Sequence, residues 1–209
     1  VALRLPLLNL ENIVCFGYPG ASPALMGACA ERGVGLCFLT PGGRFLARVN
    51  GRVKGNVLLR KKQYLLSEDL LKALPVAASF LLGKISNCRK VVERALRDHA
   101  LLVDVDCLKA ASFSLKELLK AVPGCRTLND LMGVEGSAAK IYFGVFDQFI
   151  LQQREAFYFK ERSRRPPLDN MNAVLSFLYT ILANEVASAL ETVGLDPYVG
   201  FLHQDRPGR

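Results

Sequence analysis

The chain has 209 residues, 51% hydrophobic and 22% charged, so it can bury a real core, which excludes wholesale disorder and a collagen-like or mucin-like stalk. Its 27 Lys and Arg against 19 Asp and Glu give a formal charge of +8 and a pI near 9.3. That surplus suits nucleic acid, an anionic membrane surface or an acidic protein, and composition alone does not choose among them.

The first sixty-odd residues read as β. Short runs at Asn12–Phe16, Val34–Leu39 and Arg44–Val49 are separated by turn signals at Tyr18-Pro19-Gly20, Thr40-Pro41-Gly42-Gly43 and Asn50-Gly51. Between the first two runs, Ser22 as N-cap, Pro23 at the first helical position and Gly33 as stop predict one short helix. From about Leu58 the spacing turns helical, with few β-turn signals until Pro123-Gly124. Ser114 with Glu117 three residues on predicts a capping box, and a short helix over 112–121. Two more helices are expected, over 137–151 and 169–193, the second capped by Asp169 and ended by Gly194. The boundary between a β-rich domain, 1–66, and a helical domain, 67–209, falls where this texture changes.

Six cysteines stand outside any CxxC pair, several beside apolar residues, which reads as buried free thiols in a reducing cytosol. With only His99 and His203 available, no zinc ligand pairing appears. The longest apolar stretches, 74–82 and 173–182, fall short of the roughly 20 residues that span a bilayer. No transmembrane helix or secretory signal is therefore expected. Position 1 is not Met, so the true start need not be present.

The cations cluster. From Arg44 to Lys62 there are seven (Arg44, Arg48, Arg52, Lys54, Arg60, Lys61, Lys62) and no acidic residue, which fits either a solvated sheet edge or a phosphate-facing surface. A second cluster, Arg162, Arg164 and Arg165, precedes Pro166-Pro167, a backbone that cannot join a regular helix and would hold guanidiniums outward for bidentate phosphate contacts. Phe157, Tyr158 and Phe159 just before it could stack on bases, although an aromatic triplet is more often core. No segment joins a basic face to an apolar aromatic one as an interfacial helix does.

Neither a GxSxG elbow nor a Walker-type loop is present. What remains is Gly133-Val134-Glu135-Gly136-Ser137, an acid between two glycines immediately before an expected helix, where Glu135 either complements the helix dipole or is presented for chemistry. His203 follows an apolar, Gly-containing run and is either a structural histidine or a ligand.

Three stretches then carry a resemblance: residues 133–143 (Gly-Val-Glu-Gly-Ser-Ala-Ala-Lys-Ile-Tyr-Phe), 162–179 from Arg162-Ser163-Arg164-Arg165-Pro166-Pro167-Leu168-Asp169-Asn170 onward, and 194–203 ending in Phe201-Leu202-His203. Together they resemble the CRISPR-associated endonuclease one family, the spacer integrases of CRISPR adaptation. The stretches Gly20–Met26, Gly43–Val49 and Gly55–Arg60 look most like the subtype I-C branch. The resemblance implies an α+β protein: a small β-sandwich-like N-terminal dimerisation domain followed by an all-α catalytic domain, here cut short. It implies a homodimer that works in the cytoplasm with a small ferredoxin-like adaptation protein two. Its activity would be that of a divalent-metal-dependent DNA endonuclease and integrase, inserting short invader DNA into a CRISPR array in antiviral defence. Glu135 and His203 match two members of the family's metal site, for Mg2+ or Mn2+. The third, an Asp, is expected beyond Arg209, since Asp205 stands too close to His203. Arg44, Arg60, Lys61, Lys62, Arg162, Arg164 and Arg165 are the expected DNA contacts. The rival is a non-catalytic DNA-binding scaffold of the same family with an incomplete metal site.

Overall fold

A computed structural model describes residues 3–52 and 56–203. Lys54 and Asp205, named above, lie outside the described residues. The element order is β1 (Asn12–Phe16), α1 (Pro23–Arg32), β2 (Gly35–Leu39), β3 (Phe45–Val49), α2 (Val57–Glu68), α3 (Leu70–Asp98), α4 (Val105–Ala121), α5 (Leu128–Gly144) and α6 (Asn170–Val193). The α+β class holds, with one small sheet and a mostly helical remainder. The described residues form two compact units: one from residues up to 63 together with 175–198, the other from 64–174 together with 199–203.

In the first unit β1 runs parallel to β2, pairing Asn12 with Gly35 through Phe16 with Leu39, and β3 lies antiparallel on the other side of β2. Helix α1 makes the crossover that a parallel pair requires. Ser22 Oγ accepts the Leu25 N–H at 3.2 Å, and Gly33 ends the helix at φ +71°, a left-handed conformation that suits glycine. Cys29, Val34 and Leu36 form the core, flanked by Ile13, Cys15, Leu25 and Val49.

Residues 175–198 complete this unit. Phe177 stacks on Phe16 with ring centroids 5.6 Å apart. Glu185 accepts from Asn12 Nδ2 at 2.5 Å, and Glu191 pairs with Arg48 and accepts from Asn50 at 2.7 Å. Gln63 and Asp196 exchange two hydrogen bonds of 2.8 Å. Helix α6 corrects one expectation: at 24 residues, with mean hydropathy 1.5 over its most apolar window, it is long and apolar enough to cross a membrane by length and composition alone. The helix outruns the apolar stretch seen in the sequence because it continues through Asn184 and Glu185. Glu185 and Glu191 bond to residues of the strands and their flanks, while Leu178, Leu182 and Val186 of the same helix are exposed.

The second unit is built on α3, α4 and α5. Ala77, Leu81, Ile85, Val92 and Ala95 form the buried stripe of α3, and they meet Leu108, Ala111 and Leu115 of α4 and Leu131 and Ala138 of α5. Phe201 and Leu202 pack against the same core. Two helix starts differ from expectation. Helix α4 begins at Val105, capped by Asp104 Oδ1 at 3.0 Å from the Cys107 N–H, so Ser114 and Glu117 are interior residues and cap nothing. Helix α5 begins at Leu128, nine residues before the expected Ser137, and ends at Gly144, short of Leu151. Thr127 and Asp130 form a reciprocal capping box there, with Asp130 in the place usually read as Glu or Gln. The backbone N–H groups of Arg126 and Thr127, each 2.9 Å away, hold the Asp130 carboxyl below its ordinary range.

Candidate metal centre and basic surfaces

Because α5 starts early, Glu135 is its eighth residue. It lies beyond the first turn, so it does not complement the helix N-terminus, and that reading falls. Leu131, Glu135 and Ala138 share one face of α5, and Leu131 and Ala138 are buried at 0% and 5% exposure. Glu135 therefore sits at the margin of an apolar helix contact, its side chain a quarter exposed. From α3, Lys84 reaches it: Lys84 Nζ stands 2.5 Å from Glu135 Oε1. Lys84 is flanked by buried Leu81 and Ile85, so its own helix face is fixed, while its side chain is 54% exposed.

His203 is exposed and lies in the same unit as Glu135. Its two preceding residues, Phe201 and Leu202, anchor that segment on the three-helix core. Among the described residues no group of three or more His, Cys, Asp or Glu comes together. As donor types, a carboxylate and an imidazole suit a hard to borderline divalent ion. The carboxylate is paired with the Lys84 ammonium.

The expected basic contacts divide into exposed and engaged groups. Arg164 and Arg165 are exposed in the second unit, and Arg44, Lys61 and Lys62 are exposed in the first. Arg60 is partly buried and its Nε donates to the Gly194 carbonyl at 3.1 Å. Arg162 is not held outward: its Nη1 donates to Asn172 Oδ1 at 2.7 Å and to the Ser163 carbonyl at 2.5 Å. The cause is Asn172, fully buried, which also accepts from the Ser163 N–H and donates to the Glu161 carbonyl and to Asp169. The expected cap is present, since Asp169 Oδ1 accepts the Asn172 N–H at 2.6 Å. Phe159 is core, 4% exposed and packed on Phe143 and Phe146, whereas Tyr158 is exposed beneath Lys160. The six cysteines are free, and of these only Cys29 is fully buried.

Sequence reasoning missed Lys84 and Asn172. Lys84 is 51 residues from Glu135 on another helix, so no spacing signals the pair. Asn172 carried a weak signal, a polar residue three positions after a capping Asp.

The family model described as CRISPR associated protein Cas1 matches residues 1–209. The CRISPR-associated endonuclease Cas1 1 of Chlorobaculum tepidum is 48% identical over 206 residues, 99% of this chain and 60% of the relative. A solved Cas6-RT-Cas1--Cas2 complex resembles 94% of this chain, and 21% of its own, at 25% identity and a TM-score of 0.67. A casposase bound to integration product shares the fold over 95% of this chain and 54% of its own, with a TM-score of 0.75 at 22% identity. The chain spans about 60% of the length of the curated relatives it matches. With a match along its whole length, and with Glu135 and His203 carried by one compact unit, the chain belongs to the family of the CRISPR associated protein Cas1.

Proposed function

We propose that the chain belongs to a divalent-metal-dependent DNA endonuclease and integrase that inserts short invader DNA into a CRISPR array. The observation that carries this reading is Glu135, a largely shielded carboxylate that already draws a cation, in a chain matched end to end by the family model. The naming of the 48% identical relative as an endonuclease supports the activity.

Glu135 and His203 would hold Mg2+ or Mn2+, with a third ligand, an Asp, from beyond Arg209. When bound, such an ion polarises a phosphodiester and eases ionisation of the attacking hydroxyl or water. The chain's own residues do the rest. The α3–α5 contact fixes the Glu135 carboxylate, and the docking of Phe201 and Leu202 fixes the backbone that presents His203. Arg164, Arg165, Arg44, Lys61 and Lys62 hold phosphates, giving affinity without base reading. Arg162 and Arg60 brace the backbone, and they serve DNA binding through the segments they hold. The Cas2-containing solved complex, at 25% identity, supports adaptation protein two as partner. Homodimerisation, a cytoplasmic location, the two-domain division near residue 66 and membership of the subtype I-C branch complete the proposal.

The test is cleavage of branched DNA by full-length protein with Mn2+. Glu135→Ala and His203→Ala should each lower the rate at least about a hundredfold while leaving DNA affinity within about twofold. Undiminished cleavage in either variant sinks the assigned site. Unmodified protein that binds DNA but never cuts it would support the scaffold reading.

A further inference from the structure

Glu135 has a partner that the metal reading does not use. The Lys84 ammonium stands 2.5 Å from Oε1, against one oxygen of the carboxylate that a divalent ion would use. The two helices force this meeting, because buried Leu81 and Ile85 on α3, and Leu131 and Ala138 on α5, leave Lys84 and Glu135 side by side at the margin of the contact. Yet Lys84 is only loosely held, since more than half of its side chain is exposed and its four-carbon stem can carry the ammonium outward.

We propose that Lys84 is a positioning residue of the Glu135 site, a built-in counter-cation that holds the carboxylate in the metal-free chain and competes with a divalent ion for it. A DNA phosphate is the natural acceptor for the released ammonium. DNA binding and metal binding then favour each other, because a phosphate that takes Lys84 frees Glu135, and the coupling is reciprocal. The inference rests on the reading of Glu135 as a metal ligand.

The test measures Mn2+ binding to full-length protein from the electron paramagnetic resonance of the free ion, with and without a short DNA duplex. Lys84→Met keeps the stem and removes the charge, and Lys84→Gln is a second variant should Met disturb folding. Either should tighten Mn2+ binding in the DNA-free protein by about two- to fivefold, the scale of a half-exposed ion pair. The extra tightening that DNA produces should shrink by the same factor. Lys84→Arg, which keeps the charge, should behave as the unmodified protein. Glu135→Gln should weaken Mn2+ binding at least about tenfold, as expected when a ligand carboxylate is neutralised. If Glu135→Gln does so but Lys84→Met and Lys84→Gln leave Mn2+ affinity unchanged or lower, the counter-cation proposal is overturned and the metal reading stands. If Glu135→Gln has no effect, the metal reading fails and this proposal fails with it.

Discussion

Gly133 and Gly136 flank Glu135 inside α5, where glycine is a poor helix former. A Cβ added at either would meet no heavy atom within 4 Å beyond the helix's own backbone. Nothing in the packing therefore demands glycine, and each should cost the helix about 0.5–1 kcal/mol relative to alanine. Gly136→Ala should raise stability by about that amount in thermal unfolding. If the open strip beside Glu135 admits a DNA backbone, the same change should lower Mn2+-dependent cleavage. A rise in stability with cleavage untouched would remove that role from the strip. Gly43 is the contrasting case: it sits at φ +82° with a would-be Cβ 2.6 Å from the Phe177 ring, so there both backbone and packing exclude a side chain. The sequence displays all three glycines alike, and only the neighbours separate a glycine required by close packing from one that leaves space.

Among the elements, the segment before α6 and its first turn show how a motif read as charge can be chiefly architecture. Asn172 ties Arg162, Ser163, Glu161 and Asp169 together from a fully buried position. Removing it strands several buried donors and acceptors, each costing about 1–3 kcal/mol when unpaired. Asn172→Ala should therefore destabilise the protein by about 2–4 kcal/mol in denaturant unfolding. Because the same hub holds the backbone leading to Arg164 and Arg165, DNA affinity should fall even in the folded fraction. Unchanged stability would show that the hub is dispensable. The strands and α1 were legible almost residue for residue, because Gly, Pro and Asn-Gly turns punctuate short runs there. Helix starts in the second unit were less legible. Ser114 carries a capping pattern inside a helix, while Asp104 and Thr127, the real caps, stand before segments whose glycines or Asp disguise them.

At the scale of the whole molecule, the +8 charge resolves into groups that are solvated and groups that are bonded. Arg48 is neutralised by Glu191, Arg60 is engaged by a helix-end carbonyl and Arg162 by Asn172, so the charge available to a polyanion is smaller than the number of cations. Arg164 and Arg165 remain exposed, as do Arg44, Lys61 and Lys62. Replacing Arg164 and Arg165 by Ala should weaken DNA binding about equally across sequences and lower the slope of log affinity against log salt by about 1 for each phosphate no longer held. An unchanged slope would mean that neither touches a phosphate. Arg162→Ala should instead act mainly through stability, a distinction that the run of arginines does not reveal.

Composition, turn residues and helix caps by themselves determined the α+β class, the order of strands and helices in the first fifty residues, and the stretches that resemble a known family. These are local matters, set by backbone geometry within a few residues of each signal. Only the tertiary structure decided that Glu135 lies in mid-helix beside Lys84, that Arg162 turns inward, and that residues 175–198 group with the strands in one compact unit. Each of those outcomes depends on side chains from distant parts of the chain meeting at one place. Such a meeting is set by which apolar faces bury together, and the one-dimensional spacing of residues does not record it.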